Sequence, residues 1–268
     1  MSGVPPEIVV SGSENHTLQL TGIEAARLVG TAVSRLGDPS SGRYAIIGGL
    51  AILCRCRTAK RVTSDIDTVS AGMDRGALVA DKAMASGSGP EEDVKFDRIV
   101  TEPLTIADLE GLPEKQQLFL AAHRWALESA GPVSMEISYR DTSAGPLEVA
   151  RASLAVATAP ALLAMKLHSI QDRRRERPEK EGSDAEDIYR IISEYDQGGD
   201  LARALSLAPL GLPQLVLSTA QKVLVDGQLA LRRALNVYGG ESAREIDSDD
   251  FSFVVHQFVN GLEQALYP

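Results

Sequence analysis

The order in which a strand, a glycine pair, a helix and a second strand follow one another constrains this chain most. Residues 44–47 (YAII) form a short apolar run that predicts a buried strand, and Gly48-Gly49 comes directly after it. The glycine pair predicts a tight turn, and a helix is expected to follow over roughly residues 50–57. Asp65-Ile66-Asp67-Thr68-Val69 then alternates polar and apolar side chains, which is the period of a half-buried strand. This order predicts a mixed α and β structure in which the glycine turn lies at the end of a strand.

Similar patterns along the rest of the chain predict further strands in the first half and helices in the second. Period-2 segments predict strands at residues 94–100 and 133–139, and residues 147–155 favour another. Pro113 opens a helix whose inner face carries Leu118, Ala121, Ala122 and Trp125. Other helices are predicted at about 21–36, 160–175, 184–195, 215–236 and 250–266. The predicted fold class is therefore α+β, with a mixed region over residues 1–155 and a helical region over residues 156–268.

Composition and charge exclude several classes of protein. With 268 residues, of which 44% are hydrophobic and 24% charged, the chain suits one large or two modest domains and is unlike collagen or a disordered protein. Lys and Arg number 27 against 37 Asp and Glu, so any contact with nucleic acid must use a local basic patch against a net charge of −10. No signal-peptide pattern and no long apolar run is present, which predicts a cytoplasmic protein that does not use a membrane.

Two aspartates and the glycine pair are the first candidates for a functional site. Asp65 and Asp67 are two residues apart on a predicted strand, so both carboxylates leave the same face and can bind Mg²⁺. A strand that simply turns its polar face to water would show the same pattern. Gly48-Gly49 ends sixteen residues before Asp65 and offers backbone N–H groups at a helix N-terminus, which favours a phosphate. Arg61 and Thr63 lie on the approach to the aspartates, so neighbouring metal and phosphate sites are predicted.

Two charged residues occur on helix faces that are otherwise apolar. Lys166 belongs to the stripe formed by Leu163, Leu167 and Ile170, and Asp187 belongs to the stripe of the next helix, which Ser183 can cap. A connection of roughly eight residues predicts an antiparallel helix pair that brings Lys166 and Asp187 together. The pair is either catalytic or a structural salt bridge, and both interpretations remain open at this point.

An arginine run and one further acid complete the candidates. Arg173 begins a segment, residues 173–177, that contains four arginines at the bend between the two helices. Such a run is usually a solvated surface, and here it is also a candidate for contact with a nucleic-acid backbone. Glu136, in the predicted strand 133–139, is the candidate third carboxylate of the metal site, with a surface position as the alternative.

In their order along the chain, these segments resemble the AbiEii-like nucleotidyltransferase toxins, including the MenT-like group. The resemblance rests on Gly48-Gly49-Leu50-Ala51, Arg61-x-Thr63-x-Asp65-Ile66-Asp67, Lys166-Leu167, the arginine run and Asp184-x-x-Asp187-Ile188-Tyr189. It covers roughly residues 43–195. It implies a polymerase-β-like nucleotidyltransferase core with a mixed sheet over residues 1–155, followed by an α-helical C-terminal domain over residues 156–268.

The resemblance also implies an activity. Toxins of this kind use Mg²⁺ and a nucleoside triphosphate, transfer nucleotides to the 3′ end of tRNA, block translation and are restrained by an antitoxin. By this likeness Asp65 and Asp67 hold the metal, Lys166 binds phosphates and Asp187 is a further essential acid. The residues expected to contact the substrates are Gly48, Gly49, Arg61, Thr63 and Arg173. Thr63 and Ser64 lie where an antitoxin with kinase activity would add a phosphate that repels the incoming triphosphate.

Three other functions fit parts of the sequence. A nucleotide-sugar glycosyltransferase also uses an Asp-x-Asp metal motif, but the upstream glycine turn and the Lys166 and Asp187 helices fit it poorly. A nucleotidyltransferase that modifies a small molecule or a protein side chain would carry the same site residues. A catalytically inert binding module would not need Asp65, Asp67, Lys166 and Asp187 together.

Overall fold

A computed structural model of the chain describes residues 18–21, 23–56, 65–72, 95–140, 145–173, 178–239 and 241–268. Within these ranges six strands form one mixed sheet with the order β1-β5-β6-β2-β3-β4. The pairs β2–β3 and β5–β6 are antiparallel, and the pairs β1–β5, β2–β6 and β3–β4 are parallel. The strands are β1 (Leu18–Thr21), β2 (Tyr44–Ile47), β3 (Asp65–Ala71), β4 (Lys95–Thr101), β5 (Gly131–Tyr139) and β6 (Glu148–Val156).

Helices make up most of the remaining described chain. They are α1 (Ile23–Leu36), α2 (Gly48–Arg55), α3 (Ile106–Leu109), α4 (Glu114–Glu128), α5 (Ala159–Arg173), α6 (Pro178–Tyr195), α7 (Asp200–Ser206), α8 (Leu212–Ala220), α9 (Gln228–Tyr238) and α10 (Ser248–Leu266). A π-helical turn, Gln221–Val225, follows α8, and short 3₁₀ turns occupy Pro39–Ser41, Gln197–Gly199 and Glu241–Glu245.

The core runs without interruption from the sheet into the helices. α1 packs on β5 and β6, whereas α4 packs on β2, β3 and β4. α4 in turn contacts α5, α5 contacts α6, and α6 contacts α9. The predicted inner face of α4 is confirmed, because Leu118, Ala121, Ala122 and Trp125 are all buried. The apolar faces that the sequence periodicity marks are therefore the faces that hold the layers together.

The α+β fold class is confirmed. β6 is the last strand within the described ranges, and the described residues beyond Val156 form helices and turns. This change occurs where the sequence changes from a mixed to a helical pattern, and the division of the chain into two domains there stays a prediction. No helix in the described parts of the chain is both long and apolar enough to cross a membrane.

Two of the predicted helices differ clearly in their bounds from the helices of the structure. α6 begins at Pro178 rather than at Asp184, because a proline is well suited to the first helical position. Ser183 is therefore not an N-cap: it lies inside α6, and its hydroxyl donates to the carbonyl oxygen of Lys180 at 3.0 Å. The connection between α5 and α6 is residues 174–177, shorter than the eight residues predicted. The helix predicted over residues 215–236 is divided into α8 and α9 by the π-helical turn and by Gly227.

The α4 helix carries a buried histidine that makes stability depend on pH. Burial lowers the pKa of His123 below its ordinary value of 6.5, although one ring nitrogen donates to the carbonyl oxygen of Phe119 at 2.7 Å. The folded protein therefore keeps this ring neutral at a pH where the unfolded chain already binds a proton. The stabilising contribution is complete above about pH 6.5 and is lost as the pH falls below it.

We expect the free energy of unfolding to fall between pH 7 and pH 5.5 by up to about 1.4 kcal/mol per pH unit through His123. Urea titrations followed by the fluorescence of Trp125, the one tryptophan of the chain, measure this slope. His123→Gln should reduce the slope. Equal slopes in the wild type and in His123→Gln would contradict the expectation.

Candidate active site

The end of β2 brings the glycine pair next to the aspartate pair. In the antiparallel pairing of β2 with β3, Ile47 lies opposite Asp67, and Gly48 follows at once. An ideal Cβ on Gly48 would lie 2.1 Å from Oδ2 of Asp67, and the φ angle of Gly48 is +65°. A side chain at this position would clash with the carboxylate and strain the backbone, so glycine is required. Gly48 and Gly49 are the first turn of α2 rather than a separate turn before it.

Asp65 and Asp67 lie on one face of β3 and are both half-buried. Ile66 and Thr68 point to the other face and are fully covered. The first backbone amides of α2 have no acceptor within their own helix, and these amides begin at the glycine that touches Asp67. The site therefore combines two carboxylates, which suit a cation, with a helix N-terminus, which suits a phosphate.

A third carboxylate lies on the neighbouring strand, and the sequence patterns did not single it out. β4 runs parallel to β3 with Asp97 directly beside Asp67. Paired residues of neighbouring parallel strands point to the same face, and the strands lie about 4.8 Å apart. The side chain of Asp97 is exposed. Its strand was predicted from residues 94–100, but the pairing of that strand with β3 leaves no local signal in the sequence.

The donor set of these aspartates fits Mg²⁺. All donors are carboxylate oxygens, which hard cations prefer, and Mg²⁺ is usually held by one or two carboxylates together with phosphate oxygens and water. In the described part of the chain, no three Asp, Glu, His or Cys side chains are already arranged as a metal site. A magnesium ion at Asp65 and Asp67 would therefore complete its coordination with oxygens of the substrate.

The prediction that Glu136 is the third carboxylate is wrong. Glu136 lies on β5, which β6 and β2 separate from β3, so three strand spacings of together about 14 Å lie between them. Glu136 and Asp67 also lie at different positions along the strand direction. Glu136 pairs with Arg151 of β6, whereas β6 pairs with β2 at Val156, five residues further along. Arg151 Nε also donates to Oε2 of Glu136 at 3.1 Å. Glu136 belongs to a different part of the sheet.

Lys166 and Asp187 do come together, in a buried ion cluster. Nζ of Lys166 lies 2.7 Å from Oδ1 of Asp184 and 2.6 Å from Oδ2 of Asp187. Lys166 comes from α5 and both aspartates come from α6, and all three residues are more than nine-tenths buried. A salt bridge joins the two helices, as one interpretation of the sequence requires. Burial of three charges at one point is costly, and such groups are common at functional sites.

The buried face of α6 carries further charge beside this cluster. Glu186 Oε1 accepts from Nη2 of Arg190 at 2.9 Å, and both residues are more than nine-tenths buried. Glu181 is buried as well. A helix face with this many covered charges differs from the apolar stripe that packing alone requires.

Some predicted site residues cannot be compared with the structure. Arg61, Thr63 and Ser64 lie outside the described residues, and so do residues 174–177 of the arginine run. Arg173 is the last residue of α5.

Gly48→Ala tests the close approach of α2 to Asp67. We expect it to lower the free energy of unfolding by more than about 2 kcal/mol, because the new methyl group meets a carboxylate and the left-handed backbone strains any L side chain. Gly30→Ala is the matched control, since Gly30 lies within α1 with open space around it and alanine favours the helix by about 0.5–1 kcal/mol. Equal urea midpoints for the two variants would mean that the approach is not tight.

The fold and the site together are those of a nucleotidyltransferase core: a mixed sheet, a helix that starts at glycine beside paired aspartates, and helices that follow. A sequence model of the family described as "Nucleotidyl transferase AbiEii toxin, Type IV TA system" matches residues 36–214. The chain therefore belongs to the AbiEii nucleotidyltransferase toxin family, which confirms the resemblance seen in the sequence. It is a nucleotidyltransferase of a type IV toxin–antitoxin system. No curated protein and no solved structure matches the chain significantly.

Proposed function

We propose that this nucleotidyltransferase uses Mg²⁺ to transfer a nucleoside monophosphate from a nucleoside triphosphate to RNA, at the 3′ end of tRNA, and that this blocks translation. In this reaction the acceptor hydroxyl bonds to the α-phosphate, the bond between the α- and β-phosphates breaks, and pyrophosphate leaves. The observation that carries the proposal is the contact of Gly48 with Asp67, where an added Cβ would lie 2.1 Å from the carboxylate oxygen. A phosphate on the amides of α2 and a cation on Asp67 would be immediate neighbours there.

In this proposal the three aspartates of β3 and β4 have related tasks. Asp65 and Asp67 would hold Mg²⁺, and the ion would supply positive charge to the phosphate that is transferred. Asp97 lies beside Asp67 on the same face and is exposed. Its carboxylate is the base that would accept the proton of the acceptor hydroxyl. The backbone amides of Gly48 and Gly49 bind and orient the triphosphate.

The buried ion cluster holds the ammonium group of Lys166 in a fixed position in the same proposal. Asp184 and Asp187 hold the ammonium group of Lys166 by two ion pairs, so this charge is already positioned before the substrate binds. Lys166 stabilises the phosphates from this position, and Asp187 is essential because it holds the lysine in place.

The chain has a net charge of −10 but contains a local basic segment to which a nucleic-acid acceptor can bind. Arg173 follows Lys166 by seven residues on α5, which is about 10 Å along a helix. The four arginines of residues 173–177 are the segment proposed to hold an RNA backbone. Membership in a toxin–antitoxin family adds an antitoxin as the partner that restrains this activity.

The experiment that tests the proposal is transfer of label from each α-³²P nucleoside triphosphate in turn. Purified protein is incubated with Mg²⁺ and total tRNA, with parallel reactions that lack RNA, lack Mg²⁺ or contain the Asp67→Asn variant. Label at the tRNA 3′ end that needs Mg²⁺ and Asp67 would support the proposal and identify the nucleotide. Label on protein or on a small molecule, or label that does not need Mg²⁺, would refute it.

A further inference from the structure

The C-terminal end of α2 forms hydrogen bonds with two other parts of the fold. Arg55, the last residue of α2, donates from Nη2 to the carbonyl oxygen of Val156 at 2.7 Å and from Nε to that of Ala157 at 3.0 Å. The hydroxyl of Tyr195, the last residue of α6, donates to the carbonyl oxygen of Arg55 at 2.6 Å. One residue thus joins α2 to the end of β6, and a second residue joins α2 to the end of α6.

These bonds lie between the two parts of the proposed site. At its first residue α2 touches Asp67, and eight residues span only about 10 Å. Just beyond its last residue, Cys56 lies within electrostatic range of Asp187, Arg190 and Glu194 on α6. α2 is therefore a short rigid connection with the aspartate pair at one end and the helix of the ion cluster at the other.

Arg55 is suited to this task because its guanidinium is planar and rigid. Its two bonds go to consecutive carbonyl oxygens at the junction where β6 ends and α5 is about to begin. A forked donor fixes direction as well as distance, which a single flexible ammonium group does not. α5, which carries Lys166, begins at Ala159, two residues after Ala157, so Arg55 holds α2 next to the start of this helix.

We propose that Arg55 and Tyr195 are positioning residues that fix α2 between the aspartate pair and the Lys166 cluster, and so set the distance between metal and ammonium group during transfer. This inference rests on the proposed roles of Asp67 and Lys166. Neither Arg55 nor Tyr195 touches the substrate in it. Both residues act through the placement of α2, and a shift of about 1 Å at a reacting group can lower a rate about 10²-fold.

Tyr195→Phe tests the inference, with Tyr189→Phe as its matched control. Both variants remove one hydroxyl from α6, but the hydroxyl of Tyr189 donates to Asp250 on α10, away from α2. We expect Tyr195→Phe to lower kcat about tenfold with KM for the nucleotide unchanged, and to speed hydrogen exchange at the amide of Cys56, which donates to Ile52. Tyr189→Phe should change neither, although its urea midpoint shifts by a similar amount.

The outcomes separate this inference from the proposed function. Equal kcat values for the two variants would overturn the positioning role while the wild-type activity still supports the proposed function. An absence of Mg²⁺-dependent transfer by the wild type would refute the proposed function, and the positioning role with it. Faster exchange at Cys56 without a loss of kcat would limit Tyr195 to a structural role and overturn the inference.

Arg55→Lys provides the second variant. It keeps the positive charge but replaces a forked donor by a single ammonium group, so one of the carbonyl oxygens of Val156 and Ala157 loses its bond. We expect a loss of kcat at least as large as that of Tyr195→Phe, again with KM unchanged. A wild-type kcat in Arg55→Lys would remove Arg55 from the proposal.

Discussion

Replacing Asp67 with asparagine should lower the rate of nucleotide transfer by at least about 10³-fold. The amide keeps the shape of the side chain and its contact with Gly48, but it removes the negative charge that would hold Mg²⁺. The free energy of unfolding should change little, because Asp67 is half-buried at the edge of the site rather than in the core. Initial rates with labelled nucleotide and urea titrations of the same preparation measure both quantities.

Two further carboxylate-to-amide variants make this expectation specific to the site. Asp97→Asn should lower the rate about 10²-fold, because Asp97 lies beside Asp67 in the register of β3 and β4. Glu136→Gln should leave the rate unchanged, because Glu136 lies three strands away and pairs with Arg151. A large loss of rate in Glu136→Gln, together with a wild-type rate in Asp97→Asn, would mean that Glu136 rather than Asp97 belongs to the active site.

The contrast between Glu136 and Asp97 shows how far sequence reasoning reaches at this site. Both are acids in period-2 segments, and both strands were predicted correctly from local alternation. Which of the two lies near Asp67 depends on strand order, because β4 pairs with β3 whereas β5 pairs with β1 and β6. Strand order results from contacts between distant parts of the chain, so a local pattern carries no information on it.

The proximity of the glycine pair to the aspartates could be predicted from the sequence. A buried strand that ends in glycine and is followed by an alternating strand places all the relevant features within about 25 residues of one another. Short connections keep neighbouring elements together in space, which is why Gly48 and Asp67 meet. The start of α2 at Gly48 was missed, because glycine is a poor helix former and this one adopts a left-handed conformation.

Lys166 and Asp187 can be predicted because each is a charged residue on an otherwise apolar helix face. The same signal applies to other charged residues of α6. Asp184 is a second partner of Lys166, and Glu186 and Arg190 form another buried pair on α6. The sequence spacing places Asp184 on the same helix face as Asp187, but at the start of the predicted helix, since Ser183 before it resembles an N-cap. With α6 starting at Pro178, Asp184 lies well inside the helix and can reach α5.

Replacing Lys166 with methionine should lower the free energy of unfolding by about 3–5 kcal/mol and abolish transfer. The change removes the ammonium group from two buried carboxylates that it contacts at 2.6 and 2.7 Å, and leaves their charges in a poorly solvated interior. Lys222→Met is the matched control, since Lys222 contacts Glu114 at the same 2.6 Å but at an exposed position. An exposed pair of this kind is worth less than about 1 kcal/mol. Urea unfolding followed by Trp125 fluorescence compares the two variants.

A third variant separates the structural from the catalytic role of the cluster. Replacing Lys166 by methionine and both Asp184 and Asp187 by leucine removes the buried charges together, and an apolar replacement of this kind is often as stable as the ion cluster. We expect stability to return towards that of the wild type while transfer stays abolished, because the positioned ammonium group of Lys166 is gone. If transfer returns together with stability, the cluster only joins α5 to α6, and the proposed role of Lys166 at the phosphates is wrong.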